Sequence, residues 1–227
     1  MRKWNIGLFC LCITFFLVAC DQTNTNSDAT EGGTPESSQL ENISQTPDDE
    51  PARESSDVSV QPEDTSKILV AYFSRTGTTA PLAEYTAEIT GADIYEIVPE
   101  VPYTDDDIAY QVNDCRANLE QNDDTCRPAV SSAVINMEGY DVVFIAFPIW
   151  WGKEPRIIDT FMDTYDFSGK TLIPFCTSGS SGIGTAERNL HAMTDETVQW
   201  LDGARFAAGT SKNTMEEWIG SLVLPVE

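Results

Sequence analysis

The sequence predicts an α/β domain, a three-layer sandwich in which a five-stranded parallel sheet carries helices on both faces. From Lys67 onward, short apolar runs of strand length alternate with helical patterns, as in successive βαβ units. The run at residues 142–147 is apolar at every position, as expected of a central strand buried on both sides. Three of the runs end in loops with unusual composition, and those loops carry the functional argument.

The predicted elements follow one another closely along the chain. The first strand is expected at residues 67–73 and the first helix at about 78–90, where Pro81 fits the first turn and Gly91 ends the helix. The other strands are predicted at residues 93–98, 142–147, 171–176 and about 198–207, and the other helices at about 105–120, 155–164, 185–193 and 212–222.

The first 20 residues have the pattern of a secretory leader. Arg2 and Lys3 precede an apolar run at residues 6–18, which is short for a membrane-spanning helix. The sequence Leu17-Val18-Ala19-Cys20 resembles a bacterial lipobox, which implies cleavage before Cys20 and a diacylglycerol on its thiol. We therefore expect an extracytoplasmic protein anchored to the cell membrane by lipid at Cys20. An uncleaved anchor and an ordinary leader are the alternatives.

Residues 21–66 are predicted to be a disordered acidic linker. The segment has 12 acidic residues, a single base at Arg53 and few apolar side chains. Such a composition cannot bury enough apolar surface to offset chain entropy. The segment is either a tether that holds the domain away from the membrane or a solubilising spacer, and the sequence fits both.

The charge balance excludes some classes of function. The net charge is −24 and the pI about 4.1, with 25 acidic and 10 basic residues from Lys67 onward. A nucleic-acid-binding domain is expected to be basic, so that class is disfavoured, as is direct adhesion to anionic lipid. Excess acidity favours basic protein partners. We expect a monomer that meets such partners.

The loop after the first predicted strand is suited to bind a phosphate. Backbone N–H groups at a helix start lack intrahelical partners, the helix dipole adds positive potential, and a Gly allows close approach. The spacing Ser-x-Thr-Gly-x-Thr differs from nucleotide P-loops and dinucleotide fingerprints. A simple capped turn is the alternative interpretation. The candidate residues are Ser74, Arg75, Thr76, Gly77, Thr78 and Thr79.

Two further loops belong to the same predicted site, because ligands of open parallel sheets bind beyond the carboxyl ends of the strands. One loop offers indole faces and the other offers hydroxyl and backbone donors. Together with the phosphate loop, they predict a site for a flat, mostly apolar ring that carries a phosphate. The candidate residues are Pro148, Ile149, Trp150, Trp151 and Gly152 in one loop, and Thr177, Ser178, Gly179 and Gly182 in the other.

Three stretches, at residues 68–79, 147–152 and 166–184, resemble the flavodoxin-like domain of exported or lipoprotein bacterial flavodoxins. The resemblance extends over residues 67–222. It implies the strand order 2-1-3-4-5, non-covalent binding of FMN and one-electron transfer between redox partner proteins. FMN is therefore the expected cofactor.

The resemblance also implies roles for individual loops. Residue by residue, the first loop matches the phosphate loop, the second flanks the isoalloxazine, and the third lies near the pyrimidine side of the ring. We expect Trp151 rather than Trp150 to stack on the ring, although adjacent positions make the two nearly equivalent. We also expect the Gly152–Lys153 peptide to turn its carbonyl toward flavin N5. Arg75 faces either the phosphate or solvent and a partner.

Side chains outside these loops give weaker signals. Cys115 and Cys126 follow an export signal and are predicted to form a disulfide, with two free thiols as the alternative. Cys176 is expected to be buried, and His191 to lie on the surface. Tyr103 is expected to be a packed loop aromatic or to cover the ring edge. No Cys or His cluster has the spacing of a metal site.

The sequence thus predicts a membrane-tethered, FMN-binding electron-transfer protein. One alternative is an FMN-dependent NAD(P)H or quinone reductase on the same fold, because the loop Phe-Pro-Ile-Trp-Trp-Gly also resembles that of quinone reductases. A second alternative is a binding module that has lost flavin.

Overall fold

The computed structural model describes residues 67–134 and 136–225. The predicted leader with Cys20 and the predicted linker at residues 21–66 lie outside these ranges. Within them, no helix combines the length and the apolar character needed to cross a membrane.

A parallel sheet forms the centre of the domain. Its strands are β1 (Ile68–Tyr72), β2 (Asp93–Glu96), β3 (Val142–Pro148), β4 (Thr171–Thr177), β5 (Gln199–Trp200) and β6 (Ala204–Phe206). The order is β2-β1-β3-β4-β5, and β6 pairs with β4 beyond β5. The predicted order 2-1-3-4-5 is therefore confirmed, with the fifth position divided between two short strands.

Helices cover both faces of this sheet. They are α1 (Ala80–Thr90), α2 (Arg116–Gln121), α3 (Arg156–Thr164), α4 (Gly184–Ala192) and α5 (Lys212–Ser221), with single 3₁₀ turns at Asp106–Ile108 and Met137–Gly139. The apolar stripes of α1 and α5 pack on one face, and those of α3 and α4 on the other. The three-layer α/β sandwich is thus confirmed.

Strand β3 shows why a uniformly apolar run becomes the central strand. Successive side chains of a strand point to opposite faces. Phe144 and Ala146 belong to the core under α1 and α5, whereas Ile145 and Phe147 belong to the core under α3 and α4. All four are fully buried, so neither face of this strand tolerates a polar residue.

The prediction of a polar helix at residues 105–120 is wrong for most of these residues. Only the 3₁₀ turn at Asp106–Ile108 and the short helix α2 form there. The segment lacks a continuous apolar face that packing would stabilise as a helix. Thr104 and Asp107 instead close a local turn, since the Thr104 hydroxyl donates to Asp107 Oδ2 over 2.8 Å and accepts from the Asp107 N–H over 3.2 Å.

The single fifth strand predicted at about residues 198–207 is interrupted in the structure, and Pro174 in β4 explains why. The Leu201 N–H donates to the Leu172 carbonyl, so the backbone polar groups of Leu172 point toward the fifth strand position of the sheet. Alternate residues of a strand point the same way, so those of Pro174 point there too. Pro174 has no N–H to offer there. The chain breaks opposite it, and the Gly203 N–H bonds to Glu187 Oε1 from α4 over 2.9 Å.

Candidate functional site

The three loops predicted from the sequence line one cleft at the carboxyl ends of β1, β3 and β4. The cleft has a volume of about 700 Å³. Strands β1 and β3 are neighbours, as are β3 and β4, so the loops that follow them must meet at this edge. The lining residues are Thr76, Thr78, Ile108, Tyr110, Pro148, Ile149, Trp150, Trp151, Gly152, Thr177, Ser178, Gly179, Ser180, Ser181 and Ala208.

The loop that precedes α1 contains several backbone N–H groups without hydrogen-bond acceptors. Ser74 Oγ accepts hydrogen bonds from the N–H groups of Thr79 and Ala80, both over 3.1 Å, and so caps the helix start. Among the described residues, the N–H groups of Thr76, Gly77 and Thr78 have no acceptor. Gly77 has φ +75°, a conformation that side chains rarely adopt. The loop therefore fits an anion that accepts several neutral hydrogen bonds.

The three threonines of the predicted phosphate loop have two different environments. Thr76 and Thr78 line the cleft, and their hydroxyls lie 3.1 Å apart. Thr79 is 1% exposed, and its hydroxyl is 2.8 Å from the Thr177 hydroxyl. This buried pair joins the phosphate loop to the end of β4, so Thr79 and Ser74 support the cleft while Thr76 and Thr78 face it.

Arg75 does not line the cleft. Its guanidinium donates to the Tyr103 carbonyl and forms an ion pair of 2.6 Å with Asp105. Of the two orientations expected for Arg75, the one toward the phosphate is therefore wrong in the structure. The positive side chain of the loop is neutralised by the segment after β2, which leaves backbone N–H and hydroxyl groups as the donors at the cleft.

The loop after β3 contains a tight turn at residues 150–153. The Trp150 N–H donates to the Lys153 carbonyl over 2.9 Å, and the Lys153 N–H donates to the Trp150 carbonyl over 3.1 Å. Trp151 has φ +45° and Gly152 has φ +84°, as in a type I′ turn. A bulky residue in this conformation is strained, so the surrounding structure must hold the turn in place.

This turn bears on the Gly152–Lys153 peptide, which we expected to turn its carbonyl toward flavin N5. The N–H of that peptide is fixed by the hydrogen bond to Trp150. In the described part of the chain, the Trp151 carbonyl and the Gly152 N–H have no partner. The peptide with both polar groups unpaired among the described residues is therefore the central one, between Trp151 and Gly152.

The two tryptophans are no longer equivalent once the chain is folded. Trp150 is 6% exposed and packs edge to face against Phe73 and Tyr103, with ring centroids 5.4 and 5.0 Å apart. Trp151 is half-buried at the cleft. Tyr103 is itself packed, donates to Glu120 over 2.6 Å, and has its pKa raised by burial and by that carboxylate. Trp150 and Tyr103 are core residues that support the cleft.

An aromatic residue that the sequence analysis missed lies at the cleft. Tyr110 stacks on Trp151 with ring centroids 4.2 Å apart and an interplanar angle of 15°. Its hydroxyl donates to the Ile149 carbonyl over 3.1 Å and accepts from the Trp151 N–H over 3.2 Å. The sequence analysis placed Tyr110 within a polar helix at residues 105–120 and did not consider it for the cleft. In the sequence, Tyr110 is distinguished only as an aromatic residue in an acidic segment.

The loop after β4 is held from β6. The Ser178 N–H donates to the Phe206 carbonyl over 3.0 Å, and Arg205 donates to the carbonyls of Ser178 and Gly179 over 2.9 and 2.6 Å. Ser178 and Gly179 line the cleft as predicted, together with Ser180 and Ser181. Gly182 is exposed and lies outside the lining.

A buried polar network lies behind the Trp150–Lys153 turn. Glu154 is fully buried, and its carboxyl oxygens accept from Asn189 Nδ2 over 2.9 and 3.2 Å. Burial raises the pKa of Glu154 to about 7, and the nearby Asp159 adds to the shift. Lys153 is turned toward Asp124, 3.4 Å away, so the charge of Lys153 is partly neutralised.

The predicted disulfide between Cys115 and Cys126 is wrong in the structure, where both are free thiols. Helix α2 separates them, with Cys115 buried at its start and Cys126 beyond its end. Burial, with Glu120 and Asp123, raises the pKa of the Cys126 thiol. This disfavours the thiolate that disulfide exchange requires. Cys176 is fully buried and His191 is exposed, as expected.

Within residues 67–134 and 136–225, no group of three or more His, Cys, Asp and Glu side chains is arranged to hold a metal ion. The residues that line the cleft offer backbone donors, hydroxyl groups and aromatic rings.

Comparisons with known proteins agree with this geometry. The flavodoxin family model matches residues 67–222. A crystal structure of a protein from Bacteroides uniformis, assigned as a flavoprotein, is 43% identical with a TM-score of 0.66 and covers 69% of this chain and 99% of its own. A similarly assigned protein from Bacteroides eggerthii is 42% identical with a TM-score of 0.66, over 70% and 99% of the two chains. No curated protein matches the sequence.

Proposed function

Because the chain belongs to the flavodoxin family, we propose that its cleft binds FMN non-covalently and that the protein transfers electrons between redox partners. One observation carries the proposal. The N–H groups of Thr76, Gly77 and Thr78 are unpaired among the described residues, and Thr76 and Thr78 share a cleft of about 700 Å³ with the half-buried indole of Trp151. This pairing of anion donors with an aromatic face fits a flat ring that carries a phosphate.

Each loop has a distinct part in this proposal. The N–H groups and hydroxyls of Thr76 and Thr78 bind the phosphate, Trp151 flanks the ring, and the loop at residues 177–181 supplies donors and acceptors to the ring edge. The bound flavin supplies the redox chemistry, and the protein supplies the environment that tunes it. The unpaired Trp151–Gly152 peptide is the group positioned to change orientation beside the ring.

The first experiment measures flavin binding by quenching of flavin fluorescence. We expect FMN to bind more tightly than riboflavin, which lacks the phosphate. Loss of the Ser74 hydroxyl leaves two N–H groups at the start of α1 without their acceptor, so Ser74→Ala is expected to weaken FMN binding by about tenfold.

The matched control is Ser211→Ala. Ser211 caps α5 through the Thr214 N–H, at 3.2 Å, but lies outside the cleft lining. Both variants are expected to lose stability, by about 1 kcal/mol each, while the control retains FMN affinity. A wild-type protein that fails to bind FMN would instead support the flavin-free binding module.

A second experiment separates an electron carrier from a reductase. Stepwise reduction of the FMN-loaded protein is followed by its absorption spectrum. Two successive one-electron steps and no NAD(P)H oxidation support the carrier. A single two-electron step with NAD(P)H or quinone turnover supports the FMN-dependent reductase.

We also propose a partner surface beside the cleft. Four exposed apolar side chains lie in the segment at residues 101–119, which reaches the cleft through Ile108 and Tyr110. Acidic residues are interspersed in the same segment, so it fits a redox protein with an apolar centre and a basic rim. We define this partner face by the exposed Val101, Tyr110, Val112 and Leu119 and by Asp105, Asp106, Asp107 and Asp114, which lie between Val101 and Leu119 in the sequence.

The proposed location is the outer side of the cell membrane, with lipid attached at Cys20 and residues 21–66 as the tether. The support is the lipobox-like sequence and the acidic composition of the segment that follows. In a bacterial host, the wild-type protein should incorporate labelled fatty acid and remain with membranes. A Cys20→Ser variant that is still labelled and still sediments with membranes would contradict the assignment.

A further inference from the structure

Tyr110 makes contacts that its exposure does not lead one to expect. It is 56% exposed and lies in the irregular connection between the 3₁₀ turn at Asp106–Ile108 and α2. Its ring stacks on Trp151, and its hydroxyl bonds to the backbone on both sides of Trp150.

The two hydrogen bonds act on the strained part of the loop. The hydroxyl donates to the Ile149 carbonyl and accepts from the Trp151 N–H. The turn itself uses the N–H and carbonyl groups of Trp150 and Lys153, so Tyr110 supplies the partner that the Trp151 N–H finds nowhere else among the described residues. Trp151 has φ +45°. A residue in this sparsely populated region persists only when its surroundings hold it.

The stacking contact with Tyr110 restrains the Trp151 side chain, which the two hydrogen bonds to the backbone do not restrain. The indole of Trp151 is half-buried, and its near-parallel contact with Tyr110 limits rotation about its side-chain bonds. Backbone and indole of Trp151 are thus both held by one residue, which comes from a segment 41 positions earlier in the chain.

We infer that Tyr110 is a positioning residue that holds Trp151 and the Trp150–Lys153 turn in the arrangement required by the flavin ring. This inference rests on the proposed binding of FMN. Tyr110 is expected to affect binding of the flavin ring and not of the phosphate, because the phosphate donors of Thr76, Gly77 and Thr78 belong to a different loop. Tyr110 acts through Trp151.

The test compares Tyr110→Phe, which retains the ring and loses the hydroxyl, with Tyr110→Leu, which loses both. We expect Tyr110→Phe to weaken FMN and riboflavin binding by the same factor, about 3- to 10-fold for one lost hydrogen-bonding group, and Tyr110→Leu to weaken both further. Competition of inorganic phosphate with FMN should give the same phosphate affinity in all variants, because the phosphate loop is unchanged.

The matched control is Tyr140→Phe. This substitution also removes a tyrosine hydroxyl bond, to Asp93 at 2.8 Å, but Tyr140 lies outside the cleft lining. Its flavin affinities should equal those of the wild type. Unchanged or tighter flavin binding in the Tyr110 variants would overturn the inference, and tighter binding would mean that Tyr110 competes with the ring for Trp151.

A second measurement needs no flavin and separates this inference from the proposed function. In the ligand-free protein, the Trp151 N–H should exchange with solvent about tenfold faster in Tyr110→Phe than in the wild type or Tyr140→Phe, because its acceptor is lost. A wild type that does not bind FMN would contradict the proposed function alone. Equal exchange of the Trp151 N–H in all three proteins would contradict the role of Tyr110.

Discussion

At the scale of single residues, Glu154 has the most unusual environment beside the cleft. It follows the Trp150–Lys153 turn directly, is fully buried, and has no basic side chain within ion-pair distance among the described residues. Its neighbour Asp159 is paired with Arg156 at 2.8 Å, and the Asp159 Oδ1 atom is buried without a hydrogen-bond partner. Arg156 stabilises the charged form of Asp159 and Glu154 has no such ion pair in the described part of the chain, so we assign the proton of the pair to Glu154.

This protonation predicts a pH dependence of stability. The pKa of Glu154 is raised to about 7 in the folded protein from an ordinary value of 4.5. Between these values the folded state binds a proton that the unfolded state has released, so the free energy of unfolding falls as the pH rises from about 4.5 to 7. The contribution of Glu154 is expected to be about 3 kcal/mol across that window.

Urea unfolding of wild-type and Glu154→Gln proteins at several pH values checks this prediction. Glutamine has the same shape and no titration, so the variant should lose that part of the slope. The exposed Glu216→Gln variant controls for the removal of one acidic residue and should retain it. Parallel slopes for all three proteins would show that Glu154 is ionised in the folded state.

The paired tryptophans show the limit of residue-level prediction. Adjacent residues of an extended segment point in opposite directions, so the sequence predicted that at most one indole stacks on the ring and gave only a slight preference for Trp151. The choice is made by Phe73 and Tyr103, which pack against Trp150 and arrive from distant parts of the chain. Arg75 is a similar case, because its partner Asp105 lies in a segment with no regular structure.

At the scale of elements, the break between β5 and β6 depends on close packing at Gly203. A Cβ atom at this position would lie 2.6 Å from the Pro174 carbonyl oxygen and 2.6 Å from Glu187 Oε1. The carbonyl belongs to the backbone of a central strand and cannot move aside without disturbing β4. Glycine is therefore required here by space.

We predict that Gly203→Ala destabilises the domain by about 1 to 3 kcal/mol, the range for overpacked sites. Gly220→Ala is the matched control, because a Cβ at Gly220 in α5 meets no atom within 4 Å. Alanine should raise stability there by about 0.5 to 1 kcal/mol, through its higher helix propensity. Urea midpoints that move equally for both variants would contradict the packing argument.

Most elements could be located from the sequence because their patterns are local. Strand β3 is apolar throughout, and α1 has Pro81 near its start and Gly91 at its end, where φ is +70°. The two failures have a common cause. The division of the fifth strand depends on Pro174 in a neighbouring strand, and the irregular path of residues 109–115 leads to a hydroxyl contact with the loop after β3.

At the scale of the whole molecule, charge governs encounters with partners. The sequence carries 25 acidic against 10 basic residues from Lys67 onward, and the proposed partner face includes four aspartates. Long-range attraction raises the association rate with a basic protein and is screened by salt. The effect concerns the rate of encounter more than the stability of the complex.

We predict that electron transfer from the reduced, FMN-loaded protein to a small basic redox protein slows by about tenfold or more between 10 mM and 500 mM salt. Stopped-flow measurements test this. Asp106→Asn/Asp114→Asn, on the partner face, should flatten the salt dependence more than Glu216→Gln/Glu217→Gln on α5. Equal slopes for the two double variants would contradict the proposed face.

The sequence by itself determined the α/β class and the three loops that form the cleft. The reason is that strand runs, the Ser/Thr/Gly spacing and the carboxyl-end rule of parallel sheets are properties of local order along the chain. Only the tertiary structure decided that Trp150 is mostly buried against Phe73 and Tyr103 while Trp151 is half-buried and stacked on Tyr110, and that Arg75 turns away from the cleft. Each of these depends on contacts between residues far apart in sequence, which no local pattern specifies.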